Sequence, residues 1–560
     1  MANTLSLGSG NWGAKESLLL GYYEDGTQFL PETFDVTRAT GGTRVNKAGL
    51  IETPADRGSE LVTNGDFSNG LTDWIAKDGT MSLSGSGSLL FDNNSGNSSG
   101  GAFQNLSLVT GKQYQMTATM QLLTGISNGS FNLFTSTAAG TGQSTVYNGG
   151  PLTPGGGAVT ETFTFTPAAG DVSIQLYCDE SNATYTIDNI SVKEYNDKNL
   201  ARIDYLDDAK GALLTEPQST NVVAQSANLS RNYWSASQEV SLVGEQSSPS
   251  ADSPLGAYDV IESTSDSVHK LRSIIFTTAA VESTMSVYIK YSTKRFIEFR
   301  ENTTNARCKF DLLNNVVTQS IGAVGKIEDA GNGFKRISIT YTANGTTSRV
   351  QLGLLDDSAG SNYPGNGTDK ITVFGFQVEQ ANSAGYDGKY ATSYIPTIGQ
   401  IQSRAADLVT NGGDVKNFNS EEGVLYAEIA ALEDDLTYRG ISLNDGTNAN
   451  SLCIRYRPNS NRVNAIIKHG SGANFQLSFD ISDITQFNKI ALKYKSGDTS
   501  MYINGTEVVT SSLPFSFTSA LNDLSFNRGD SGDKFFGKTK NVQVFNEALT
   551  DSELVALTTI

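Results

Sequence analysis

This sequence predicts an all-β fold of serial antiparallel sandwiches, and three observations predict it. First, period-2 alternation dominates the chain. YQMTATMQL at 114–122 puts Tyr114, Met116, Ala118, Met120 and Leu122 on one face, and TMSVYIKY at 284–291 does so with Met285, Val287, Ile289 and Tyr291. FKRISITY aligns Ile337, Ile339 and Tyr341, and NKIALKY aligns Ile490, Leu492 and Tyr494. Second, such runs are five to nine residues long and are separated by Gly/Asn/Ser/Asp turns, the signature of half-buried antiparallel strands. Third, a pattern occurs twice: LVTNGDFSNGLTDW at 61–74 matches NVVAQSANLSRNYW at 221–234, and YTIDNISVKEY at 185–195 matches ITVFGFQVEQA at 371–381. A repeat bracketed at both ends implies two similar domains.

In chain order the sequence divides into an N-terminal segment at 1–58, a first sandwich at 59–196, a second at 197–400 and a third at 405–560. The SGSGS stretch near residue 86 and PGGG near residue 155 read as loops inside the first sandwich. The stretch 391–410, with Pro396 and Gly399, reads as the joint before the last domain. In the third, Asn504-Gly505 predicts a two-residue hairpin. Thr550-Asp551-Ser552-Glu553 is a capping box that predicts one short closing helix.

The chain has 560 residues, 38% hydrophobic with 56 glycines, enough for cores without metal or disulfide staples. A net charge of −19 disfavours nucleic acid and anionic membranes as partners. Cys178, Cys308 and Cys453 are odd in number and far apart, so neither a disulfide framework nor a zinc knuckle is expected. Cys178 shares a face with Val172, Ile174 and Leu176 and reads as a buried thiol. The start shows no basic n-region or apolar h-region, so no secretory signal is expected, and no run is long and apolar enough to span a membrane.

The first bracket, NGDFSNGLTDW with YTIDNISVKEY, resembles the ends of carbohydrate-binding jelly-roll modules of bacterial polysaccharide-degrading enzymes. That resemblance implies sugar binding and a structural calcium between the first and last strands. It assigns the metal to Asp188 and Asp66; an Asx turn and a strand-edge position are the alternative roles. The second repeat has Phe374 where the first has Asp188, so calcium is not expected there. Residues 419–560 resemble the concanavalin A-like or laminin-G-like sandwich through NKIALKYKSGDTSMYINGTEVV, LNDLSFNRG and FFGKTKNVQVFNEALTDSELVAL.

FDVTRATGGTRVNKAGLIE, ARIDYLDDAKGALLTEPQSTNVV, GNGFKRISITYTA and KYATSYIPTIGQIQSRAADLVT resemble a family of bacteriophage virion proteins labelled tail or fibre proteins. In that family the first two motifs lie nearly adjacent, so residues 59–196 read as a domain inserted into a fibre scaffold. The resemblance implies a non-enzymatic virion protein, a tail or head fibre. Its sandwiches would contact host surface polysaccharide and its N-terminal segment would join other virion proteins. A homo-oligomer follows, a trimer by the same resemblance, with no coiled-coil heptads to build it. A decoration protein and a polysaccharide depolymerase are the alternative functions.

Chemistry is sparse. Glu421, Glu422 and Glu428 do not make the alternating acid pattern of a concanavalin-like hydrolase strand, and no nucleotide loop occurs. His269 and His469 lack a neighbouring nucleophile elbow and read as polar surface or loop residues. For sugar stacking, Trp74 and Trp234 occupy the same repeat position and read as core. That leaves Tyr147, Tyr177 and Tyr363 as the candidate glycan platforms.

Overall fold

The computed structural model describes residues 4–15, 18–24, 29–93, 100–137, 144–229, 232–252, 256–470 and 474–560. The chain forms two compact units. One is Ala55–Asn196; the other joins Met1–Pro54 to Asp197–Ile560.

In the smaller unit, alternation becomes two antiparallel sheets. One runs Val159–Phe165, Tyr114–Thr124, Thr184–Asn196, Leu89–Asp92, Thr80–Leu83, with Asp56–Glu60 also on Thr184–Asn196. The other runs Ser144–Leu152, Gly129–Ser136, Ser173–Cys178, Gly101–Asn105, Ile75–Lys77. Tyr114, Met116, Ala118, Met120 and Leu122 all point into the core between them, against Leu133 and Leu176. Cys178 is buried with Ile174 and Leu176, whereas Val172 is exposed because the strand starts one residue later, at Ser173.

The larger unit holds a second sandwich in which one sheet repeats the strand order of its counterpart with an added edge strand, while the five-stranded sheets share four strands in order and differ at their edges. Its sheets run Val240–Gln246, Ala257–Glu262, Lys370–Gln380, Glu282–Tyr291, Lys335–Thr342, Val324–Asp329 and His269–Arg272, Val350–Leu354, Phe296–Glu301, Arg307–Asp311, Val316–Ile321. Met285, Val287 and Ile289 are core residues, but Tyr291, at the strand's last position, is exposed.

The two sandwiches also share a bulge. Between Thr117 and Thr119, Asn189 and Ile190 face a single residue; between Ser286 and Tyr288, Gly375 and Phe376 do the same. Asn189 (φ 52°) and Gly375 (φ 64°) are left-handed, as a bulge of this kind requires. The following amides of Ile190 and Phe376 donate to the carbonyls of Gly65 and Ser226. Trp74 and Trp234 are both buried, and their indole N–H groups donate to Asn64 and Gln225. These bonds span ten and nine residues, so the second repeat is one residue shorter there.

The third sandwich packs a large sheet on Asn474–Asp480, Arg462–His469, Asn450–Tyr456, Arg439–Asn444, Asp523–Ser525. The large sheet has the path Leu408–Thr410, Phe29–Thr37, Leu18–Glu24, Leu5–Gly8, Gly537–Phe545, Glu422–Ala431, Asn488–Lys495, Thr499–Ile503, Thr506–Ser511. Three strands on this path come from the N-terminal segment, and a fourth, Gly13–Lys15, pairs with Leu18–Glu24. Leu5 pairs with Val544, and Leu5, Leu7, Leu19, Phe34 and Val36 enter the same core as Leu425 and Leu492. Asn504 and Gly505 make the expected hairpin, both left-handed. The capping box forms on the helix Asp551–Thr558, whose Leu554 packs on Tyr426 and Tyr502.

Candidate functional site

The scaffold motifs carry arginines and acids that a sequence reading leaves on the surface. In the fold they meet inside the larger unit. Arg38, Arg202 and Arg404 are 0–1% exposed. Arg38 lies 2.8 Å from Asp407, which also accepts from Arg202. Arg202 lies 2.6 Å and Arg404 3.0 Å from Glu216, whose carboxylate accepts in addition from the Ser393 amide and hydroxyl. Burial raises the Glu216 carboxyl, but Arg404 and Arg202 overcome it and bring it down to about 2. Gly42 lies between the three guanidinium stems. A Cβ there would come within 3.1 Å of Arg38 and Arg404 and 3.3 Å of Arg202, which accounts for glycine in the GGTR turn.

A cleft of about 690 Å³ opens beside this knot, between the second and third sandwiches. Tyr288, Tyr390 and Tyr394 line it from the second sandwich, and Ala430–Leu432, Thr485–Phe487, Lys538 and Lys540 from the third; Thr43–Val45 and Asp204 come from the scaffold motifs. Five cations and five acids line the cleft. Lys538 pairs with Asp204 and Asp207, and Lys540 with Asp208, outside the lining. Arg44 pairs with Glu52 at 2.8 Å, Lys326 with Glu433, and Asp329 with Lys335. Glu328 stands opposite Arg336 across a strand pair. Burial lowers the Lys538 ammonium, but Asp204 and Asp207 outweigh it and hold the group above its ordinary value. The half-buried Phe487 ring carries the Lys540 ammonium 4.0 Å from its centroid.

The residues expected from sequence lie elsewhere. Tyr177 is buried and packs on Phe134, with ring centroids 4.3 Å apart. Tyr363 is buried, donates to Glu262 at 2.6 Å and lies under Lys294. Both rings are buried, so neither offers a free face for a sugar. Tyr147 is on the strand Ser144–Leu152 opposite Leu133, and its side chain lies outside the described residues. His269, read as a surface or loop residue, is buried, its ring nitrogens at the carbonyls of Glu239 (2.9 Å) and Tyr363 (3.2 Å). It shares a core-facing strand position with Leu271.

Asp66 is exposed and accepts from the Ser68 amide and hydroxyl, making an Asx turn. Asp188 accepts from Ser88 at 3.1 Å and from the Asn189 amide at 2.7 Å. A calcium ion takes about six to eight oxygens. Each of these two carboxylates is engaged by local donors, and among the described residues no group of three or more His, Cys, Asp or Glu could hold a metal.

Residues 430–555 match the model of the concanavalin A-like lectin/glucanases superfamily, so the third sandwich is a concanavalin A-like domain. No curated protein matches the chain at a significant level. Among solved structures it is similar to the Ruminococcus gnavus IT-sialidase CBM40 bound to α2,3 sialyllactose, at 17% identity and TM-score 0.23, covering 27% of this chain and 93% of that one. It is similar to the CBM22-1 xylan-binding domain of Paenibacillus barcinonensis Xyn10C, at 12% identity and TM-score 0.21, covering 25% and 95%. It is also similar to Trypanosoma rangeli sialidase in complex with sialic acid, at 11% identity and TM-score 0.21, covering 96% and 90%.

Proposed function

We propose that this chain is a non-enzymatic, glycan-contacting structural protein whose cleft holds a neutral, hydroxyl-rich saccharide. The observation that carries the reading is the charge balance of the cleft: five cations and five acids, most already paired. An ionic ligand would have to break these pairs. A neutral sugar would instead use their spare lone pairs and N–H groups, with Phe487 as an apolar contact. The one cleft acid that belongs to the buried knot, Glu216, is held near 2 by Arg404 and Arg202, the wrong direction for a general acid at neutral pH. This counts against Glu216 as the acid of a depolymerase, the alternative function.

The virion assignment, a tail or head fibre with residues 1–58 joining other virion proteins, rests on the scaffold motifs. Support comes from their convergence: three of the four quoted motifs contribute Arg38, Arg202, Glu216, Arg404 and Asp407 to one buried knot. Gold-labelled antibody against residues 405–560, viewed on purified phage particles, tests this assignment. Label at the tail or along projecting fibres is expected. Absence of label, with the epitope accessible on free protein, would sink it.

A further inference from the structure

The second sandwich carries an unusual face for a chain of net charge −19. In its five-stranded sheet, Leu271, Leu352, Phe299 and Cys308 form one row into the core. The rows beside it point the other way. One reads Arg272, Gln351, Arg300, Arg307; the next reads Lys270, Gly353, Glu298, Lys309. Five cations thus share one sheet face with a single carboxylate in these rows. Arg349, just before the strand Val350–Leu354, lies close enough to Arg272 to depress it. The carboxylate of the rows, Glu298, is divided between Arg300 at 3.8 Å and Arg307 at 3.4 Å.

The array is only partly satisfied from within: Lys309 donates to the Ala359 carbonyl at 2.8 Å and Arg307 to the Asn305 carbonyl at 3.1 Å. The Nε groups of Arg272, Arg300 and Arg349 are buried without a hydrogen-bond partner. Partial burial, then Arg272 and Arg300, depress the Lys270 ammonium; burial, then Arg349 and Arg300, depress Arg272. Like charges held side by side cost stability, and an anion laid across them would remove that cost. Gly353 leaves room: a Cβ there would meet nothing closer than 3.9 Å, so the face has a shallow opening between Lys270 and Glu298.

We infer that this face binds an acidic polysaccharide through its repeating carboxylates. Strands about 4.8 Å apart present the guanidinium forks as a flat, regularly spaced array. Such an array fits a chain of spaced carboxylates, each able to take a bidentate contact, better than one compact anion. Nucleic acid, with a charge every ~1.7 Å, is opposed more strongly by the protein's overall negative charge than a glycan with one carboxylate per sugar. The choice of a glycan over other polyanions rests on the function proposed above; the face and the cleft are separate sites.

The test uses the full chain, with polygalacturonate as the acidic probe, dextran as the neutral one and single-stranded DNA as the competing polyanion. Wild type is expected to bind polygalacturonate in a salt-dependent manner, and an Arg272→Gln/Arg349→Gln variant to lose about tenfold or more. Lys270→Gln, a milder change, covers the case of a double variant that fails to fold, with a smaller loss expected. Undiminished binding in the folded variants, or no polygalacturonate binding by wild type, overturns the inference. Tighter binding of DNA, lost in the same variants, overturns the choice of a glycan. Loss of neutral-saccharide binding in Phe487→Ala with polygalacturonate binding intact keeps both readings. Absence of all neutral-saccharide binding with polygalacturonate binding intact sinks the cleft reading alone.

Discussion

Arg202 shows how much rests on single side chains. It is fully buried and bonds two acids from different motifs, Glu216 and Asp407, while its Nε has no partner. Removing one member of such a set leaves the others charged and unpaired. Arg202→Met is expected to destabilise the larger unit by about 3–5 kcal/mol, read as a fall in its urea midpoint. Glu216 gives the pH dependence. Its folded value lies near 2 against an ordinary 4.5, so its contribution is full above about pH 4.5 and is lost as pH falls toward 2. Wild type is expected to lose stability across that window, and Glu216→Gln, less stable at neutral pH, to show a flatter profile there. Equal slopes would contradict the assigned role. None of this was legible locally. Arginine and glutamate are surface residues by default, and Arg38, Arg202 and Arg404 meet only because strands far apart in sequence converge. Tyr363 was misleading for the same reason: SNYPGNG has the composition of a loop tip, and nothing near it shows Glu262 waiting 101 residues away.

At the level of elements, alternation was a reliable guide to faces, as at Tyr114–Leu122 and Ile490–Tyr494. It failed at strand ends such as Val172 and Tyr291, where the register no longer constrains the side chain. The repeated bracket was legible as a shared fold, and the structure adds the reason the match runs through IDNI and VFGF: both contain the bulge. Its left-handed residue is Asn189 in one case and Gly375 in the other. At Gly375 a Cβ would lie 3.1 Å from Tyr288 and Tyr394. Gly375→Ala is therefore expected to cost about 1–2 kcal/mol or more, whereas Asn189→Gly should be close to neutral, both measured by chemical unfolding. A Gly375→Ala variant as stable as wild type would show that the bulge relaxes.

For the whole molecule, the insertion of a sandwich into a scaffold makes a direct prediction. Asp56 and Asn196, at the two ends of the smaller unit, are paired opposite each other. Replacing residues 55–196 with a short Gly/Ser linker should leave the larger unit folded, with its cooperative unfolding intact. Loss of cooperative unfolding would show that the two units depend on each other. The cleft belongs to this scale too. Lys538 and Lys540 stood in the FFGKTKNVQVF motif, which reveals a strand but not that the second sandwich faces it. The central claim is that this cleft holds a glycan without cleaving it. The most direct measurement is binding of wild type and Phe487→Ala to a panel of neutral oligosaccharides, with reducing-end release followed in the same samples. Wild type is expected to bind, the variant to bind about tenfold more weakly, and neither to release reducing ends. Release of reducing ends, or binding that ignores the substitution, would contradict the claim.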